Sequence, residues 1–243
     1  MTPQEEQFLQ VIRTNDTNQA KLLIEKGINV NLIDAVSNMS VLMLAAQKHN
    51  YKLCELLLGH GADLFWKNQE GEGIFDKFKD DIKLMTWLET QIKRINNQKF
   101  KEAALQGNLN YITEHFSEVN ADTLSWSFVH TPSVPVLDYL LKMGIDVNVQ
   151  STYIKKYGFG GGREHYTLTS LLDGCKQNNL EKVKFLLEHG ARVDIAYHSV
   201  QLIYGKDPDD HINEDQKITA LSFARNCKNL EMIELLKSYG AKG

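Results

Sequence analysis

The chain has 243 residues, a net charge of −4, 42% hydrophobic and 24% charged residues. Such a composition suits a globular protein with a real core, and without a basic excess nucleic acid is excluded as the first expectation for a partner. The start, "MTPQEEQFLQVIRTND", has no basic segment leading into an apolar one, so no secretory signal is expected. No run of about eighteen apolar residues occurs, so no membrane span or membrane partner is expected either. The three cysteines, Cys54, Cys175 and Cys227, are odd in number and far apart, which fits a reducing, cytoplasmic setting better than a disulfide framework.

In chain order, residues 1–34 read as an atypical opening unit that closes on "LLIEKGINVN" (22–31). Next comes "MSVLMLAAQKHNYKLCELLLGHGAD", a hydroxyl residue that can cap a helix, small residues inside that helix, a polar turn with Asn, and a second amphipathic helix ending on Gly. The same order returns in "LTSLLDGCKQNNLEKVKFLLEHGARVD" and "ITALSFARNCKNLEMIELLKSYGAK". Ser40, Thr169 and Thr219 are the expected caps, with Leu42, Leu171 and Leu221 two places on. Ala45 and Ala46, Gly174 and Cys175, and Ala224 are the small residues that let a neighbouring helix approach. Residues 68–150 keep the pattern loosely. "FKEAALQGNLNYITEHF" has Ala103, Ala104 and Gly107 but no closing glycine, and Trp126, Phe128 and Val129 stand where small residues are usual.

Self-similarity of this kind resembles the ankyrin repeat, whose hallmarks are a Thr-Pro-Leu-His start, paired alanines, a Leu-rich second helix and a Gly-Ala ending. Gly27 and Gly61 are about 34 residues apart, against roughly 33 for the family. No unit keeps the full start: Ser40-Val41-Leu42-Met43, Thr169-Ser170-Leu171-Leu172 and Thr219-Ala220-Leu221-Ser222 replace it. The resemblance implies an all-α solenoid of about seven helix–turn–helix units forming one domain over 1–243. The divergence of the motif suggests a bacterial or pathogen-type member.

Two intervals are too long. Gly144 to Gly190 exceeds the period by about 13 residues and Gly190 to Gly240 by about 17. In register, the surpluses fall at about 151–163 and 197–213, where the family carries its finger-like hairpin. The glycine-rich "YGFGGGREHY" (157–166) lies there. No Gly-Lys-Ser or Gly-Lys-Thr follows it and no strand–helix–strand unit surrounds it, so it reads as the bend of a lengthened finger and not as a phosphate cradle.

A search for chemistry yields little. His60 and His189 precede repeat glycines and are expected to serve helix ends; His49 and His130 lie in or near inter-helix turns. The best metal set, His165, His198 and His211 with Asp209 or Asp210, matches no known ligand spacing. Cys175 and Cys227 are expected as small core residues of equivalent helices. No catalytic residue, cofactor or metal is implied, and a non-enzymatic protein-binding module is expected, its partner a protein.

The candidate contact residues are Trp66 on a finger, Trp126 on a first helix, and Tyr153, Tyr157, Phe159, Arg163, Tyr166, Tyr197 and Tyr204 around the insertions, aromatics and Arg being frequent interface anchors. Acidic Asp207, Asp209 and Asp210 complete the set. Trp87 is expected in the core. The reading at this level is an inhibitor or immunity-type protein that covers a toxin or enzyme with a basic active site. The alternatives are an adaptor recruiting a cellular protein, and a ligand- or metal-dependent enzyme using the cleft between the insertions; the two insertions can also pack on each other.

Overall fold

The computed structural model describes residues 1–156, 163–202 and 218–242. It is mostly helical. Two compact units, 1–92 and 93–243, divide the chain.

In unit 1, α1 (Pro3–Arg13) opens on a reciprocal cap: Thr2 accepts from the Glu5 amide, and the Glu5 carboxylate accepts from the Thr2 amide. It pairs with α2 (Thr17–Glu25). A short hairpin follows, β1 (Ile33–Asp34) against β2 (Met39–Ser40). Buried Asp34 accepts from Arg13 at 2.7 Å, from Ser37 and from the Val36 amide. Helix α3 (Val41–Gln47) then pairs with α4 (Tyr51–Gly59). Six of the seven α3 residues are buried, including Ala45 and Ala46. Ser40 caps α3 as expected, accepting from the Met43 amide at 3.2 Å.

The divergent stretch departs from the repeat plan. After the short α5 (Ile74–Lys77), α6 runs without a break from Ile82 to Gln106. No Gly or Pro lies between Ile82 and Gln106. With neither residue to end the ladder, helix propagation continues.

Unit 2 holds α7 (Leu109–His115), α8 (Ala121–His130), α9 (Val134–Lys142), α10 (Ser170–Lys176), α11 (Leu180–Glu188), α12 (Ala220–Asn226) and α13 (Leu230–Ser238). Helix α10 packs between α8 and α12, and α11 between α9 and α13, giving an inner and an outer row. Their shared core includes Phe100, Phe128, Leu137, Leu172, Leu186 and Leu221. Between α9 and α10 the first insertion forms a hairpin, β3 (Gln150–Lys156) with β4 (Arg163–Thr169), from Gln150↔Thr169 to Lys156↔Arg163. Strand β5 (His198–Leu202), from the second insertion, pairs on the other side of β4. The all-α expectation is corrected to that extent. The lengthened fingers exchange backbone hydrogen bonds, because extended chain brought side by side satisfies its amides in a ladder.

The turns repeat one device. Asn15, His49, Gly107, Asn178 and Lys228 have φ between 52° and 69°. Each is followed by a residue, Asp16, Asn50, Asn108, Asn179 or Asn229, whose side-chain oxygen caps the second helix. Three of these asparagines also reach back with Nδ2: Asn50 to Asn15 and Thr17, Asn179 to the Pro132 carbonyl, and Asn229 to Asn178. A second rung lies at the fingers. Asn31 bridges the Gly61 carbonyl and the Asp63 amide, and Asn148 accepts from the Arg192 amide.

At Gly107 the positive φ is joined by a close approach, since a Cβ there would lie 3.0 Å from Ser133 Cβ; at Gly190 (φ 85°) a Cβ would meet nothing within 4 Å. Gly190→Ala is expected to cost about 1 kcal/mol from backbone strain alone, and Gly107→Ala measurably more. Urea unfolding of both variants checks the order.

Candidate functional site

The sequence puts an Asp at the centre of an apolar helix, "SLLDGCK", and a Lys on the buried side of the next, "LEKVKFLLE". Asp173 on α10 and Lys182 on α11 meet through Gly174. A Cβ at that glycine would lie 3.1 Å from Val183 Cγ2 and 3.4 Å from the Lys182 stem. The stem therefore lies across bare backbone, and the Lys182 side chain is only 1% exposed. Its Nζ donates to Asp173 Oδ2 at 2.8 Å and to the Val129 carbonyl at 2.7 Å.

His130, the last residue of α8, completes the set, with Nδ1 3.3 Å from Asp173 Oδ1. A carboxylate only accepts, so Nδ1 carries the proton. Nε2 is buried and has no hydrogen-bond partner among the described residues. One turn back on α8, Trp126 packs on the imidazole with ring centroids 4.6 Å apart, and Lys101 Nζ sits 5.1 Å from the Trp126 ring. Leu105, Pro132, Gln177 and Asn179 close a cavity of about 450 Å³ around these groups. Its floor is polar and buried, its walls are Trp126, Leu105 and Pro132, and its rim carries exposed Gln177.

Burial pushes the Asp173 carboxyl upward, but the hydrogen bond from His130 and the charge of Lys182 outweigh it and hold it below the ordinary carboxylate value. Burial lowers Lys182 by more than Asp173 raises it. Burial likewise drives the Cys54 and Cys175 thiols up to about 12. Neither is a thiolate nucleophile, and both sit in the core. Cys227 is exposed, contrary to expectation. It lies eight residues after the Thr219 cap, level with Gln177, whereas Cys175 lies six after Thr169.

Of the expected contact residues, Trp126 lines the cavity and is half-buried. Trp66 is half-buried at a finger bridge, Lys67↔Gly73. Tyr197 is a correction: only 8% exposed, its ring packs edge-on against Phe223 at 6.0 Å and its amide donates to the Ile218 carbonyl, so it belongs to the core. Tyr153 and Tyr166 stand opposite each other in the β3–β4 register, and Arg163 opposite Lys156. Tyr157, Phe159, Tyr204, Asp207, Asp209 and Asp210 lie outside the described residues, as does His211. Trp87 is half-buried and not core, its ring 5.2 Å from Tyr51. His60 and His189 serve helix ends as expected, each pairing Nδ1 with the carbonyl four residues back. Among the described residues no cluster of three His, Cys, Asp or Glu could hold a metal ion.

The sequence reading missed His130, Asp173 and Lys182 as a group. The available signal was the Asp-Gly pair inside a helix otherwise apolar on that face, facing a Lys nine residues on.

Residues 37–69, which include α3 and α4, match the ankyrin repeat family. The chain is 23% identical over 211 residues to the ankyrin repeat protein FPV031 of Fowlpox virus (strain NVSL), covering 86% of this chain and 55% of that protein. It is 36% identical over 62 residues to FPV018 of the same virus, covering 26% of this chain and 9% of that protein. The chain thus spans about half the length of the first relative and about a tenth of the second. Residues 37–69 thus carry an ankyrin repeat, and the chain is distantly similar to poxvirus ankyrin-repeat proteins. Both relatives are viral, and the comparison gives no support to a bacterial or immunity-type label. Ankyrin repeats are in general non-enzymatic elements that bind proteins. No helix among the described residues is long and apolar enough to cross a membrane.

Lys182→Met leaves Asp173 buried without its cation and is expected to cost about 3–5 kcal/mol, whereas Asp173→Leu with Lys182→Met recovers most of that. Denaturant unfolding of the single and double variants checks it. Because the folded Asp173 pKa is depressed, its contribution is complete above the unfolded value of 3.8 and is lost as pH falls below that toward the folded one. Acid unfolding of the double variant should be correspondingly flatter below pH 3.8.

Proposed function

We propose that the chain is a non-enzymatic protein-binding module that holds its partner on the face of unit 2 formed by α6, α8 and α10. One observation carries this. Each of the three helices brings a pair of residues one turn apart to the same place: Lys101 and Leu105, Trp126 and His130, Asp173 and Gln177. A half-buried Trp beside an exposed Leu, over a fixed polar floor, has the composition of an interface anchor. The β3–β4–β5 sheet extends from the same unit, and its backbone ladder pre-organises whatever contact the fingers make.

In the finer form of the proposal the module acts by occlusion. It covers a functional surface of its partner, with the insertion residues Tyr153, Arg163 and Tyr166 and the acidic 207–210 segment contributing at the edge. Stacking of the helix pairs into one solenoid of about seven units is part of the same proposal. An adaptor is the second reading, favoured by the length of the viral relative: FPV031 extends well beyond the 211 matched residues, which leaves that protein room for a segment that delivers what its repeats hold.

Trp126→Ala should cut partner capture from cell extract by at least about thirtyfold, as expected for an anchor worth about 2 kcal/mol or more. Substitution of exposed Lys237 on α13, Lys237→Ala, should leave capture unchanged. Quantitative pull-down with both variants makes the check, and equal capture by Trp126→Ala and the parent chain sinks the assignment of this face.

A further inference from the structure

The Asp173–Lys182–His130 group is satisfied at every atom described above except one. Asp173 accepts on both oxygens, and Lys182 donates to a carboxylate and a carbonyl. His130 Nε2 alone is left, buried and unpartnered among the described residues. We propose that the pocket receives a tyrosine side chain of the protein partner, its ring against Trp126, Leu105 and Pro132 and its hydroxyl donating to His130 Nε2. This rests on the protein-binding reading above and adds the chemistry of the anchor.

The charges select a neutral occupant. An arginine or lysine would enter past the Lys101 ammonium toward that of Lys182, and the one carboxylate on the floor is already engaged by Lys182 and His130. A carboxylate, though drawn by Lys101, has no proton to give His130 Nε2 and would sit beside Asp173. In the neutral imidazole with Nδ1 protonated, Nε2 is an acceptor, so the occupant must donate; a phenylalanine or leucine would leave the nitrogen unpaired. Serine and threonine donate but are too short to cover the apolar walls of a cavity of about 450 Å³. A phenol carries its hydroxyl at the far end of the ring, so the ring lies on the walls while the tip reaches the floor. An indole carries its N–H on the flank, where the same reach is lost. Trp126 rests 4.6 Å from the imidazole and is half-buried, and it swings off Nε2 as the phenol enters.

The test uses the full chain labelled with ¹⁵N and p-cresol as the probe, with toluene, p-methylbenzylammonium and p-toluate as counterparts. The signals are the imidazole nitrogens of His130 and the indole N–H of Trp126, assigned with Trp126→Phe. p-Cresol is expected to shift both saturably, with a dissociation constant of roughly millimolar order for so small a ligand. The other three probes should bind at least about fivefold more weakly, and His130→Phe should abolish the preference of p-cresol over toluene. Toluene binding as well as p-cresol, either charged probe binding better, or no saturable shift at Trp126 and His130 overturns the proposal. The probe comparison on the parent chain needs no variant to fold. If the partner is captured through Trp126 while p-cresol leaves both signals unmoved, the tyrosine anchor fails and the protein-binding reading stands. If p-cresol binds as described but Trp126→Ala captures the partner as well as the parent, the pocket stands and the partner face falls.

Discussion

The structure depends on one constraint: a pair of short helices cannot bury its apolar faces alone, so each pair must be held at a fixed offset from the next. Asparagines set that offset. Asn50, Asn179 and Asn229 each cap their own helix with the side-chain oxygen and reach the preceding turn with the side-chain nitrogen. The amide is suited to both tasks because it accepts and donates from one rigid plane. Asp16, at the first such turn, caps α2 but has no N–H to reach back with.

That offset also determines what can be buried between helices. Where α10 approaches α11, Gly174 replaces the first of the paired small residues and the Lys182 stem fills the space a Cβ would have taken. The ammonium is thereby carried to the far side of α10, where only a carboxylate and a free carbonyl can make it tolerable. Asp173 supplies the first, and Val129, near the end of α8, supplies the second. A buried pair of this kind contributes little net stability compared with an apolar one of the same shape. Its consequence is geometric: it pins Asp173, and Asp173 pins His130.

The repeats were legible because their signals are local. A capping hydroxyl, a left-handed turn residue and a closing glycine each act within a few residues, and Ser40, Thr169 and Thr219 cap as their positions imply. The joined α6 was harder to see, since its sign is only the lack of a breaker across 82–106. Tyr197 misled because an aromatic beside a loop reads the same whether it faces a partner or Phe223. The site depends on contacts across 43 and 53 residues, His130 with Asp173 and Lys182 with Val129. No spacing rule within one repeat encodes those, and only the odd Asp-Gly pair in α10 hints at them.

Floor and rim of the pocket differ in stiffness, and that difference bears on recognition. Asp173 and Lys182 are fixed by two hydrogen bonds each and by burial, so a ligand group reaching them meets a surface already ordered, with little entropy left to lose. Lys101 and Gln177 lie at the edge, outside the walls of Trp126, Leu105 and Pro132, where side chains can adjust to more than one partner shape. In the proposed binding mode discrimination rests with the floor, where the unpaired His130 nitrogen penalises any occupant that cannot donate to it. The rim contributes area and tolerance, so changes there should alter how tightly partners are held more than which ones are accepted.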